Sequence, residues 1–145
     1  MSASEPLENQ PDGRKPRSGL QAFALSPKQA QLALLAVSLV IFGLALAPSE
    51  PEPPNLLGVD KLKHAGAFLL LTLVARAAWP MAARWSLAVG LAGFGLVIEI
   101  AQALSGWGRT ASIADLVADL VGVGLGFALL ACIRTLRKPA ASNRS

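Results

Sequence analysis

Apolar residues occupy this chain in four long blocks, each cut from the next by a polar or proline-bearing break. The first block runs from about Gln29 to Ala47 and the second from Leu62 to Trp79; the third runs from Ser86 to Leu104 and the fourth from Ile113 to Ile133. At about 1.5 Å per helical residue, blocks of roughly 18 to 21 residues span roughly 27 to 32 Å, the depth of a bilayer hydrocarbon core. The pattern predicts four transmembrane helices. Helices of a soluble bundle would need a polar stripe, and the first and fourth blocks have none. The break at 80–85 is so short that the second and third helices are expected to form an antiparallel hairpin. Trp79, Trp85 and Trp107 stand at or just beyond expected helix ends, where indole rings settle at the lipid–water boundary. Residues 1–28 show no hydrophobic period and hold Pro6, Pro11, Pro16 and Pro27, so they are predicted to be a disordered tail. Residues 135–145 make a second polar tail. The expected architecture is an all-α integral membrane four-helix bundle over residues 29–134.

Composition agrees with this pattern. Hydrophobic residues make up 53% of the chain and charged residues 15%, with mean hydropathy +0.50, whereas soluble domains carry roughly 25% charge. Too little charge is left to cover the water-facing surface of a soluble enzyme. The single Cys132 has no partner for a disulfide scaffold. The net charge of +4 raises nucleic acid as a partner, but the cations flank helix ends and form no basic face, so no nucleic-acid partner is expected. With the N-terminus inside, Arg14, Lys15, Arg17, Lys28, Arg76, Arg84, Arg134, Arg137, Lys138 and Arg144 are cytoplasmic, against Lys61, Lys63 and Arg109 outside. This asymmetry predicts an N-in, C-in, multi-pass membrane protein. Arg76 and Arg84 are read as topology signals alone. The first block ends in Ala45-Leu46-Ala47, the pattern of a signal-peptide cleavage site, yet it is longer than a usual signal core and Pro48 would follow the cut; it is read as an uncleaved helix.

Within this topology nearly every unusual polar residue falls at the outer end. Asp60, Lys61 and His64 open the second helix. Glu99 and Gln102 lie near the end of the third. Arg109, Ser112, Asp115 and Asp119 lead into the fourth. At about 100° per residue, Asp60 and His64 share a face, as do Glu99 and Gln102, and as do Ser112, Asp115 and Asp119. Gly95 continues the stripe of Glu99 and Gln102, and Gly122 and Gly126 continue that of the aspartates. Small residues let helices approach closely in lipid, so the acid-bearing faces are expected to pack together around a polar pocket open to the outside. An acid at mid-membrane costs roughly 2.5 to 3.5 kcal/mol, which favours inward orientation and partners. Glu99–Arg109 and Asp115–His64 are the expected pairs. Asp60 is a candidate N-cap of the second helix and Ser112 of the fourth.

Three ordered blocks carry a resemblance: Asp60, Lys61, His64 and Phe68 as D-K-x-x-H-x-x-x-F; Glu99 and Gln102 as E-x-x-Q; and Arg109, Ser112 and Asp115 as R-x-x-S-x-x-D, with Gly122 downstream. In this the chain resembles the VanZ-like family of small bacterial membrane proteins, over about residues 60–126. The family pattern usually has Asn where this chain has Asp119. The resemblance implies a cell-envelope location and an association with resistance to the glycopeptide teicoplanin. It implies no defined reaction.

Three functional classes fit these residues. In the first, the pocket binds an anionic lipid or peptidoglycan-precursor headgroup, with Lys61, His64 and Arg109 on phosphate. In the second, a membrane-embedded enzyme uses His64 with Glu99 or Asp115 on a lipid-linked substrate, or those acids with His64 hold a metal. In the third, the polar end docks another subunit, or a second copy of the chain, and the acids fix helix register. No cofactor is expected.

Overall fold

The structure is a computed structural model that describes residues 25–48, 58–106 and 111–136. It contains four helices: α1 (Pro27–Leu46), α2 (Val59–Ala78), α3 (Arg84–Ser105) and α4 (Ile113–Leu136). The expected tails lie outside the described residues up to residue 24 and from 137, as do Trp107 and Arg109. Helix α1 starts inside the expected tail. The Ser26 hydroxyl accepts from the Gln29 amide at 3.3 Å and the Gln29 side-chain oxygen accepts from the Ser26 amide at 2.9 Å. This capping box, with Pro27 in the first turn, starts the helix ahead of its apolar run. Helix α2 also starts early, with Gly58 at the cap and no side-chain capping bond. Asp60 is therefore not the N-cap; it lies in the first turn, where a carboxylate faces the positive end of the helix dipole. Helix α3 ends at Gly106, whose φ of 65° is the left-handed conformation that closes a helix at low cost for glycine. Ser112 caps α4, its hydroxyl accepting from the Asp115 amide at 3.3 Å.

The helices alternate in direction, so α2 and α4 run parallel and both begin at the same end of the bundle. Helix α2 is the centre. It packs most extensively on α4, then on α1, and also touches α3. The turn between α2 and α3 is tied by Arg76, whose guanidinium donates to the carbonyls of Trp79 at 3.3 Å and Ala82 at 2.9 Å. Arg76 thus has a structural part beyond marking topology. The α2–α4 seam is so tight because of two glycines. A Cβ on Gly122 would run into the backbone carbonyl of Ala65, and one on Gly126 would lie 2.7 Å from the Thr72 Cβ. Phe68, Leu71, Leu91, Ile98 and Val123 form the buried core, with the Phe68 and Phe94 rings 6.1 Å apart between centroids.

Around this core the outer faces are aliphatic. Helix α1 buries only Ala30 and exposes Leu32, Leu35, Leu39, Val40 and Leu44. Helices α1, α3 and α4 are each long and apolar enough to cross a membrane. Together with the aliphatic outer faces, they mark a helical membrane protein. The second expected span, α2, is not among these three. It is 20 residues long but carries Asp60, Lys61, Lys63 and Arg76 in its end turns. Its buried residues are Phe68, Leu71, Thr72, Ala75 and Ala78, all on the far side of the charged first turns.

Candidate functional site

One end of the bundle gathers the last turns of α1 and α3 and the first turns of α2 and α4. Because α2 and α4 run parallel, residues at equal depth meet. Lys61 and Asp115 are each the third residue of their helix, and the lysine nitrogen lies 3.7 Å from Asp115 Oδ1. One turn deeper, His64 Nδ1–H donates to Asp119 Oδ1 at 2.9 Å. The two side chains are 10% and 0% exposed. The expected Asp115–His64 pair is thus replaced by Asp119–His64. Helix α2 starts three residues before its apolar run, which carries His64 to the depth of Asp119. The second carboxylate oxygen of Asp119 rests over Gly95, where a Cβ would come within 2.7 Å of it.

Glu99 has a backbone partner that was not expected. Its Oε2 accepts from the Ser112 backbone N–H at 2.5 Å, and Arg109 lies outside the described residues. A free amide at a helix start carries partial positive charge, so Glu99 serves α4 as a second cap from a neighbouring helix. Gln102 is buried and its amide donates to the Ala45 carbonyl at 3.0 Å, fastening the end of α1. At the opposite end of α1, Gln31 donates to the Ala78 carbonyl at 3.3 Å. Among the described residues, three buried acid oxygens at the gathered end have no hydrogen-bond partner: Glu99 Oε1, Asp115 Oδ1 and Asp119 Oδ2. An unmet buried acceptor costs about 1 to 3 kcal/mol, and more when charged.

A cavity of about 360 Å³ opens beside this cluster, between α1, α2 and α3. Ile41, Leu44, Ala67, Phe68 and Ile98 give it apolar walls, and Asp60, Lys63 and His64 give it a polar edge at the start of α2. This differs from the expected polar pocket. Glu99, Gln102, Asp115 and Asp119 are not among its described lining residues. Gly122 and Gly126 draw α4 onto α2, and His64–Asp119 closes the space the acids were expected to share. A second cavity of about 310 Å³ lies between α3 and α4; it is mainly apolar and touches Glu99 and Ser112.

Sequence reasoning missed Lys63 as a lining residue, although Asp60, Lys63, His64 and Ala67 follow the spacing of one helix face. It also missed Gln31 and the tie made by Arg76. The available signal was chemical, since an amide or guanidinium next to lipid must find an acceptor. Chemically, the cluster offers an imidazole held in orientation by a carboxylate, two further carboxylates beside it, and an apolar chamber whose polar edge includes that imidazole. Comparison with protein-family models, curated proteins and solved structures finds no match to this chain.

Proposed function

We propose that this protein binds an anionic amphiphile, a membrane lipid or lipid-linked envelope precursor. Its apolar chain would lie in the α1–α2–α3 cavity and its phosphate beside Lys63 and His64. The observation that carries this reading is the cavity itself, with apolar walls ending in a lysine, an imidazole and a carboxylate. Charge-assisted hydrogen bonds from lysine to phosphate are among the stronger polar contacts. In this reading α2 also spans the bilayer, and both termini lie on the cytoplasmic side of a bacterial inner membrane. The ordered motif residues support a VanZ-like role at the envelope, with teicoplanin tolerance as the phenotype. One pair of strains reads both claims. A C-terminal fluorescent fusion should be bright, and its expression should raise teicoplanin tolerance above that of an empty vector. A dark fusion on stably inserted protein rejects the topology, and equal tolerance rejects the resistance role in that host.

Binding is tested on purified protein in maltoside by thermal unfolding. Phosphatidylglycerol should raise Tm by about 5 °C or more, since saturating a native-state site adds about 2 to 3 kcal/mol of stability. Phosphatidylcholine of the same chains should raise it much less. Ile41→Trp, which fills the chamber, and Lys63→Ala, which removes the cation, should each abolish the difference. Equal shifts from both lipids, or an undiminished shift in Ile41→Trp, overturn the reading. The His64–Asp119 pair favours a second reading, an enzyme on a lipid-linked substrate, because a carboxylate-oriented imidazole is suited to proton transfer. Product formed from bound lipid and lost in Asp119→Asn would assign the protein to that class.

A further inference from the structure

The gathered end of the bundle holds more acid than base. Among the described residues, Asp60, Glu99, Asp115 and Asp119 face only Lys61, Lys63 and His64. Three of these groups converge. One ligating atom each from Asp60, His64 and Asp115 lie within 4.8 Å of one another. Three points so spaced share a centre no more than about 2.8 Å from each, against about 2.0 to 2.2 Å for a zinc–nitrogen or zinc–oxygen bond. Side-chain adjustments of under an ångström close that difference.

Two further observations point to a cation there. Asp115 is 8% exposed, and its Oδ1 has no hydrogen-bond partner. Among the described residues it pairs with Lys61 at 3.7 Å, too far for a hydrogen bond and on a side chain 37% exposed, so the lysine can turn out to water. His64 is also set up as a ligand. Its Nδ1 lies 2.9 Å from an oxygen of the fully buried Asp119; with the ring neutral and its proton on Nδ1, the lone pair on Nε2 is left for a metal. A carboxylate behind the ring is the usual support of a metal-bound histidine.

We propose that Asp60, His64 and Asp115 bind one divalent transition-metal ion of the zinc or manganese class, with Asp119 as the positioning carboxylate behind His64. Mixed imidazole and carboxylate ligands suit these ions better than calcium or magnesium, which favour all-oxygen shells. Among the described residues, with His64 neutral as a ligand, two lysines stand against four carboxylates, an excess of negative charge that a divalent cation offsets. Three protein ligands leave the coordination shell open. Asp60 and His64 also edge the cavity, so the open side adjoins the proposed phosphate position. That last connection rests on the lipid-binding reading, whereas metal binding does not.

The test uses full-length protein on a tag without histidine, stripped with chelator, in phospholipid-free maltoside. His64 is the sole histidine of the chain, so its ring resonances report the site without any variant. Zinc should shift them and manganese should broaden them, each saturating at one equivalent by elemental analysis. Magnesium and calcium should do neither at the same concentration. Asp115→Asn should weaken binding at least tenfold. Asp119→Asn should weaken it about ten- to a hundredfold, the usual effect of losing such a support. Glu99→Gln, at the same end of the bundle, should leave it unchanged. Folded wild-type protein that takes up no stoichiometric metal, or whose His64 signals stay unmoved at saturation, overturns the proposal. Because no phospholipid is present, metal binding can succeed where the lipid reading fails, and the reverse.

Discussion

Gly122→Ala is expected to destabilise the bundle by about 3 kcal/mol, the upper end of the usual range for overpacking. The added Cβ meets the carbonyl of Ala65, which belongs to the backbone of α2 and cannot turn aside. The only relief is to move α4 away from α2. That movement would loosen the seam that Gly126 and Thr72 share and carry Asp119 away from His64. Gly124→Ala is the control. Its Cβ would meet nothing within 4 Å, so the variant should be as stable as wild type or up to about 1 kcal/mol more stable, alanine being the better helix former. Unfolding of both by detergent titration checks the contrast. Equal stability of the two variants would mean that the α2–α4 seam is looser than the structure has it.

The second large effect is expected at His64→Ala. Asp119 is 0% exposed and, among the described residues, already has one oxygen without a hydrogen-bond partner. Removing the imidazole strands the other. Polar contacts between membrane helices average only about 0.6 kcal/mol, because the remaining partner commonly finds a substitute. Asp119 is enclosed between Gly95 and α2, so the larger cost of breaking a buried pair applies, about 3 kcal/mol. The sign of a double variant separates the two cases. His64→Ala with Asp119→Ala should be more stable than His64→Ala alone, although it has lost more atoms. Measured on chelator-stripped protein, a single variant costing under about 1 kcal/mol, or a double variant less stable than the single, would show that Asp119 reaches another partner.

Much of the candidate site was readable as a grouping of residues and little of it as geometry. Asp60, His64, Glu99, Gln102, Ser112, Asp115 and Asp119 stand out because a polar group in an apolar helix is conspicuous in one dimension. Their partners are not. His64 has Asp115 and Asp119 on one stripe of α4, a turn apart, and either fits helical spacing. The choice went to Asp119 because capping at Ser26, Gly58 and Ser112 sets the helix starts, and the starts set relative depth. The expected hairpin partner of α2 was α3, its neighbour in sequence, yet the closest packing is with α4. A short loop constrains the ends of two helices, whereas glycine against Ala65 and Thr72 governs contact along their length.

What the sequence determined by itself is the set of four helices, the length of the apolar runs and the confinement of the acids to one end. Hydropathy and helical period are properties of each segment alone, and they survive whatever the segments pack against. Only the tertiary structure decided that α2, the most charged helix, lies at the centre, that the cavity opens toward α1 and α3, and that Asp60, His64 and Asp115 converge. These depend on distances between helices. The distances are set where Gly122 and Gly126 let two backbones approach, a contact that each helix holds only half of.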